Sequence, residues 1–501
     1  MSFKQQETEG AGLSWRPNML TFRTLLYVVG LLVCIIQPAL LVRQVLAHPA
    51  PPVDFTKGNS SENENANSPT DARRWTLPTG MNLIVAERSH SPLVAIVLRV
   101  RGGSGVETPA ENGLAHFVEH LVFKGGGNRK PGDLDRAMEQ LGGEISARTT
   151  REFTEFSVAL PAENLAEALP LLAALVREPE FRPADLAQER TVIQAEQKAA
   201  QADAAKLGFQ QINRVLYRAD EPYSQPLMGT AENVSRFTAD DLRRFWQRWY
   251  HPGNMVLVVT GGVRAGEVRE AVEKLFPADE PFPPMPPRVR ARAMVEGIMV
   301  APPPAPEAQA RRALTLFLVA FRVPTPAEPE ERAVMETLMP ILAYGKQGHL
   351  FDQLVDKEKR ALAVTAEYLP GGQEDMVLIS VLTTPERGKN LLGAIEGAIR
   401  RLREDLITPA EVETAKALVQ NRARYRSETV DGLAQHLADL HFHAPALTES
   451  GYLKRIEQVK PEQVRESILQ FLTPLRYAVA WVGPMLELSD AGAEAEQEAR
   501  R

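Results

Sequence analysis

Along the 501 residues the apolar positions fall into three regimes. From Leu25 to Val42 they form one almost unbroken run, preceded by Lys4, Arg16 and Arg23 and closed by Arg43. That is about the length a helix needs to cross a bilayer, roughly 17 to 25 residues. Its basic flank fits an uncleaved signal anchor, and Val45-Leu46-Ala47 also resembles the small-residue cleavage site of a long secretory signal. Either way, everything after His48 is expected to be exported. From Asp54 to Arg74 large apolar residues nearly vanish among Asn, Ser and Glu, the composition of a flexible tether.

From about Trp75 to Leu486 apolar positions are periodic. Leu83 to Val85 and Val94 to Val100 read as strands, and Gly113 to Phe123 and Asp133 to Leu141 as amphipathic helices. Strands follow around Glu144 to Arg148 and Phe153 to Leu160, then helices near Leu165 to Arg177 and Ala184 to Ala200. Strands and helices without regular alternation predict an α+β fold, a largely antiparallel sheet with helices on one face.

The pattern also repeats. Phe181-Arg182-Pro183-Ala184-Asp185-Leu186 is echoed by Ile407-Thr408-Pro409-Ala410-Glu411-Val412, and Phe237 to Leu242 by Val459 to Val464, at offsets of 226 and 222. After the second echo each half has a strand-like run, from Met255 and from Tyr477. Two echoes at nearly one offset indicate duplication. The prolines between Pro281 and Pro287 and from Pro302 to Pro306 mark the junction, because proline lacks the amide donor that helix and sheet interiors use. The expected organisation is a cytoplasmic segment (1–23), a transmembrane anchor or signal peptide (24–43), a linker (44–74), two domains (75–285 and 286–486) and a disordered tail (487–501).

Composition narrows the chemistry. With 64 acidic against 57 basic residues and a net charge of −7, no global basic field draws the chain to nucleic acid. The single cysteine, Cys34, lies in the apolar run, so there is no disulfide framework or Cys-rich zinc module, and any metal site must use His and carboxylates.

His116-Phe117-Val118-Glu119-His120 meets that requirement. On a helix, positions i and i+4 share a face, so both imidazoles reach one cation with Glu119 beside them. Downstream, after 75 intervening residues, Glu196 is the expected third ligand; Glu189, two turns before it on the same helix face, is placed to orient a ligand imidazole. His251 and His349 are isolated, and His436, His441 and His443 lack this spacing, so they are assigned to surface or core.

The order His-x-x-Glu-His, reversed from the commoner His-Glu-x-x-His, resembles the inverzincin pattern of pitrilysin/insulinase-like metallopeptidases, especially the smaller bacterial and mitochondrial-processing-type members. GSGVETPAENGLAHFVEHLVFKG from Gly103 is similar to their active-site block, and ERTVIQAE from Glu189 to their distal glutamate block. The resemblance implies two duplicated α/β-sandwich domains facing each other across a cavity. It implies one Zn2+ per chain on His116, His120 and Glu196, Glu119 as general base, Glu189 supporting the site, and peptide substrates. It further marks Glu144 to Thr149 as an edge strand holding extended substrate, with Ser146 (usually Asn), Ala147 and Phe123 in contact with it.

The second half carries no His-x-x-Glu-His; Ala415 and Arg422 stand at the offset positions of Glu189 and Glu196. Where many active relatives have an Arg and a Tyr in a block resembling REKRGLAY, this chain has Lys357 and Val364. The expectation is therefore an exported zinc endopeptidase, anchored in a bacterial inner membrane with its folded part in the periplasm, or free if cleaved. It is expected to be the zinc-bearing subunit of a pair whose homologous partner supplies the Arg and Tyr. A non-catalytic scaffold and a dedicated maturation protease are the alternatives.

Overall fold

A computed structural model describes residues 72–126, 129–278, 298–300, 313–324, 329–371, 374–444, 447–473 and 476–484. The apolar run, the tether before residue 72, the proline-rich junction and the C-terminal tail lie outside these residues. Among the described residues no helix is long and apolar enough to cross a membrane.

The first half opens with β1 (Arg73–Thr76), β2 (Asn82–Glu87) and β3 (Leu93–Val100), then helix α1 (Leu114–Val122) and α2 (Asp133–Gln140). It continues through β4 (Ser146–Thr149), β5 (Thr154–Pro161), α3 (Leu165–Arg177), α4 (Pro183–Ala202), α5 (Ala204–Leu216), α6 (Ala231–Arg236), α7 (Ala239–Trp249), β6 (Met255–Gly261) and α8 (Ala265–Leu275). The second half contains β7 (Ile298–Val300), β8 (Thr315–Pro324), α9 (Pro329–Ala343), β9 (Ala363–Leu369), β10 (Glu374–Thr383) and α10 (Leu391–Glu404). It ends with α11 (Pro409–Arg426), α12 (Val430–His443), α13 (Glu449–Gln458), α14 (Pro461–Phe471) and β11 (Tyr477–Val482). Element boundaries agree with the periodicity to within a few residues, except that the expected strand from Glu144 begins only at Ser146.

One sheet has the order β1-β2-β6-β3-β5-β4 and the other β7-β11-β8-β10-β9. Apart from β1 the two orders match, and so do the directions. β2 runs parallel to β6 as β7 does to β11, and the remaining pairs are antiparallel. The two sequence echoes open matching helices, α4 with α11 and α7 with α14.

Strand alternation gives each sheet two apolar faces. In the first, Val94, Ile96, Leu98 and Val100 pack with Phe117, Leu121, Leu172 and Phe245 of their own half. The opposite face, with Ile84, Ala95, Val97 and Val258, is covered by Leu433, Ala434, Leu437 and Ala438 of α12, a helix of the second half. The second sheet mirrors this: Phe317, Val319 and Phe321 pack within their half, while Leu318, Ala320, Ala478 and Ala480 meet Ile212 and Leu216 of α5 from the first half. A Cβ on Gly208 of α5 would lie 2.6 Å from Leu318 Cδ1, so this helix seats close against the second sheet and a side chain there would push the leucine tip aside. The halves thus exchange helices, each closing the other's sheet.

Candidate metal centre

α1 begins at Gly113, whose φ of 108° and 2.9 Å Cβ clearance from Gly229 Cα exclude a side chain. Its first amides are not capped from the usual adjacent position. Glu107 reaches in from six residues before Gly113, accepting from Gly113 N at 2.9 Å and Ala115 N at 2.7 Å, with Asn112 Nδ2 at 3.2 Å. Burial pushes the Glu107 carboxyl up to about 8 against the pull of those donors. Leu114, Phe117, Val118, Leu121 and Val122 then lock the helix into the core, leaving His116, Glu119 and His120 on the face toward α4 and β4.

α4 starts with Pro183 in its first turn, where a missing amide costs nothing, and presents Glu189 and Glu196 two turns apart. Glu196 Oε2 lies 3.6 Å from His116 Nε2 and 3.4 Å from His120 Nε2, and one ligand atom from each of the three residues falls within 4.8 Å of the others. Tetrahedral zinc with bonds near 2.0–2.1 Å separates its ligands by about 3.4 Å. Both the spacing and the His/carboxylate donor set therefore fit zinc. Glu189 Oε2 sits 2.9 Å from His120 Nδ1, which holds that proton on Nδ1 and turns Nε2 toward Glu196; Lys124 Nζ fixes the other Glu189 oxygen at 2.7 Å.

Charge is distributed unequally. Burial, with neighbouring His120, lowers His116 to about 3 and keeps it neutral. Burial opposes charge on His120 as well, but its hydrogen bonds to Glu189 and Glu196 raise it to about 10. Burial raises Glu119, matching the requirement of a base that must hold a proton transiently.

One contact had no sequence signal: Thr149 Oγ1 donates to Glu119 Oε2 at 2.5 Å. Thr149 ends β4, which among the described residues is the outermost strand of its sheet and pairs with β5. The strand therefore ends on the candidate base. Ser146 is exposed on β4, opposite Ser157, and Ala147 is half-buried, opposite Phe156. Phe123 caps α1 and rests its ring 5.9 Å from Phe156, so it is half core. Glu144 is exposed, ahead of the strand.

In the second half Thr365 occupies the position of Ser146: each pairs with a serine, Ser380 or Ser157, that in turn faces the central strand at Leu318 or Val97. Val364 is buried in the second core, and Lys357 is paired with Asp352 at 2.6 Å. Among the described residues no hydrogen bond or ion pair joins either to the metal cluster. His349, isolated from other histidines in the sequence, meets Glu411 Oε1 at 2.8 Å, while the other Glu411 oxygen caps α11 through Thr408. His251, His436 and His441 are buried.

Comparison with known proteins accords with this geometry. Residues 83–231 match the insulinase family (peptidase family M16), and residues 236–419 match the M16 peptidase inactive domain. The chain belongs to the M16 peptidase family. An uncharacterized zinc protease of Streptomyces coelicolor is 26% identical over 427 residues, 82% of this chain and 90% of that one. A probable mitochondrial-processing peptidase subunit beta of Arabidopsis thaliana is 29% identical over 43% of this chain and 40% of its own length. Cytochrome b-c1 complex subunit 1 of Rattus norvegicus is 29% identical over 38% of this chain and 40% of its length. The fold is shared with a protease from Helicobacter pylori, at a TM-score of 0.74 and 20% identity over 83% of this chain and all of that one. Membership in this family and relatives named zinc proteases support a peptidase.

Proposed function

We propose that this M16 chain is a zinc-dependent endopeptidase acting on extended peptides or small unfolded proteins. The observation that carries the reading is the convergence of His116, His120 and Glu196 beside a buried Glu119 that is tied to an edge strand. Held by those three residues, zinc supplies Lewis acidity to a water and to the scissile carbonyl. Glu119 takes the proton of that water on its carboxylate and returns it to the leaving amine. Thr149 holds Oε2 of the base, and β4, the outermost strand of its sheet among the described residues, is where an extended substrate would lie alongside the sheet. The second half, without metal ligands, closes the sheet and encloses substrate.

A Glu119→Gln chain should keep zinc and lose turnover about 10²- to 10⁴-fold on an unstructured reporter peptide; unchanged turnover would remove Glu119 from this role. Lys357 and Val364 in place of an Arg and a Tyr, together with relatives named as subunits, support a second element: a homologous partner supplies that pair. Full activity of the purified chain alone would overturn it. Export with membrane anchoring through residues 24–43 rests on the apolar run and its basic flank; recovery of the intact chain in the cytosol after fractionation would contradict it. The likeness to a cytochrome b-c1 complex subunit favours a scaffold as the second reading, and the Glu119→Gln assay separates the two.

A further inference from the structure

Resting on the reading of His116, His120 and Glu196 as the zinc ligands, we propose that Gln197 is a positioning residue that holds Glu196 where α4 leaves its core. The buried side chains of α4 are Asp185, Leu186, Glu189 and Ile193, all of them before Glu196. The helix runs on from Ile193 to Ala202, and α5 then crosses to the second sheet, where Gly208, Ile212 and Leu216 seat it. The third ligand therefore stands on a stretch that buried apolar side chains no longer fix. Before it lies an anchor in one half, and after it an anchor on the other.

Gln197 supplies the hold that packing does not. Its Nε2 donates to Gly229 O at 2.8 Å and to Met228 O at 3.2 Å, and because both partners are carbonyls the amide nitrogen has to face them. Two turns earlier, directly after Glu189, Arg190 ties the helix down in the same way, through Nε to Val234 O at 2.9 Å and Nη2 to Phe237 O at 2.7 Å. Each of the two glutamates is thus followed by a side chain that binds α4 to one segment, residues 226–237. That segment also grips the start of α1. Pro226 O accepts from Asn112 Nδ2 at 2.8 Å, and Asn233 Nδ2 donates to Asn112 O at 3.1 Å. A Cβ on Gly229 would lie 2.6 Å from Gly113 Cα, so the backbone that Gln197 grasps is pressed against the first turn of α1. Through it, Gln197 links the turn carrying Glu196 to the start of the helix carrying His116 and His120. The distance that one metal ion has to bridge is set by that link.

The test uses the full chain, with zinc affinity read by competition with a chelator. Gln197→Met keeps a side chain of similar length and removes both bonds. It should weaken zinc binding about 10-fold, alter the visible spectrum of the Co2+-loaded chain, and speed amide exchange at residues 194–202 of the metal-free chain. Leu186→Val is the control for loosened packing of α4: it lowers Tm and should leave zinc affinity within about twofold of the parent and the Co2+ spectrum as it was. An unchanged value of any one of the three measurements in Gln197→Met would overturn the proposal, as would an equal loss of affinity from Leu186→Val. Failure of the parent to bind zinc would count against the metal reading. Exchange at 194–202 is read without metal, so it still decides whether Gln197 holds that turn.

Discussion

At the scale of the residue, the candidate base and its neighbours are set by contacts of different reach. His116, Glu119 and His120 were legible because a helix fixes their common face locally, and Glu189 and Glu196 because two turns of one helix separate them. Thr149 and Glu107 were not: the first meets Glu119 only after β4 and α1 come together from 30 residues apart, and the second caps from outside the positions where helix caps normally stand. Both make predictions. Thr149→Val should lower kcat about 10-fold with zinc retained, and Thr149→Ser should restore it, measured on the reporter peptide. Glu189→Gln should weaken zinc binding about 10- to 100-fold in competition with a chelator, since it leaves His120 Nδ1 without its carboxylate.

At the scale of the element, α12 combines an apolar stripe and three buried or half-buried histidines. Burial lowers His436, His441 and His443, the last two to about 4 and about 3. Unfolded, these imidazoles titrate near 6.5; folded, they stay neutral to much lower pH, so the unfolded chain binds more protons throughout that window. Stability present above pH 6.5 is thus lost progressively as pH falls toward 3 to 4. Thermal unfolding followed between pH 7 and 5 should show Tm falling, and His443→Gln should flatten that slope; a flat profile in the parent would contradict the neutral assignment. Sequence spacing assigned its histidines to surface or core and did not show that its apolar stripe belongs to the first sheet. A stripe records that a face is buried and says nothing of what buries it.

At the scale of the whole molecule, the echoes at 226 and 222 anticipated the matching sheet orders. What escaped the sequence was the exchange of α5 and α12, because both helices lie within their parent half along the chain and only the closed fold sends them across. A first half expressed without the second would expose Ile84, Ala95, Val97 and Val258 and leave the buried Arg99 without Asp439 and Gln435. It should be recovered insoluble. Co-expression of the two pieces, split within residues 279–297, should restore a soluble, zinc-binding pair by gel filtration and metal analysis.

That exchange also bears on how such a molecule changes over generations. After duplication, the second copy could shed its metal ligands at no cost to the first, since nothing in α11 feeds the cluster on α1 and α4. It could not shed α12, because a deletion there uncovers its neighbour's sheet and strips the partners from a buried guanidinium. An inert copy of an enzyme domain is usually free to decay; this one is kept by a debt owed to its twin's fold.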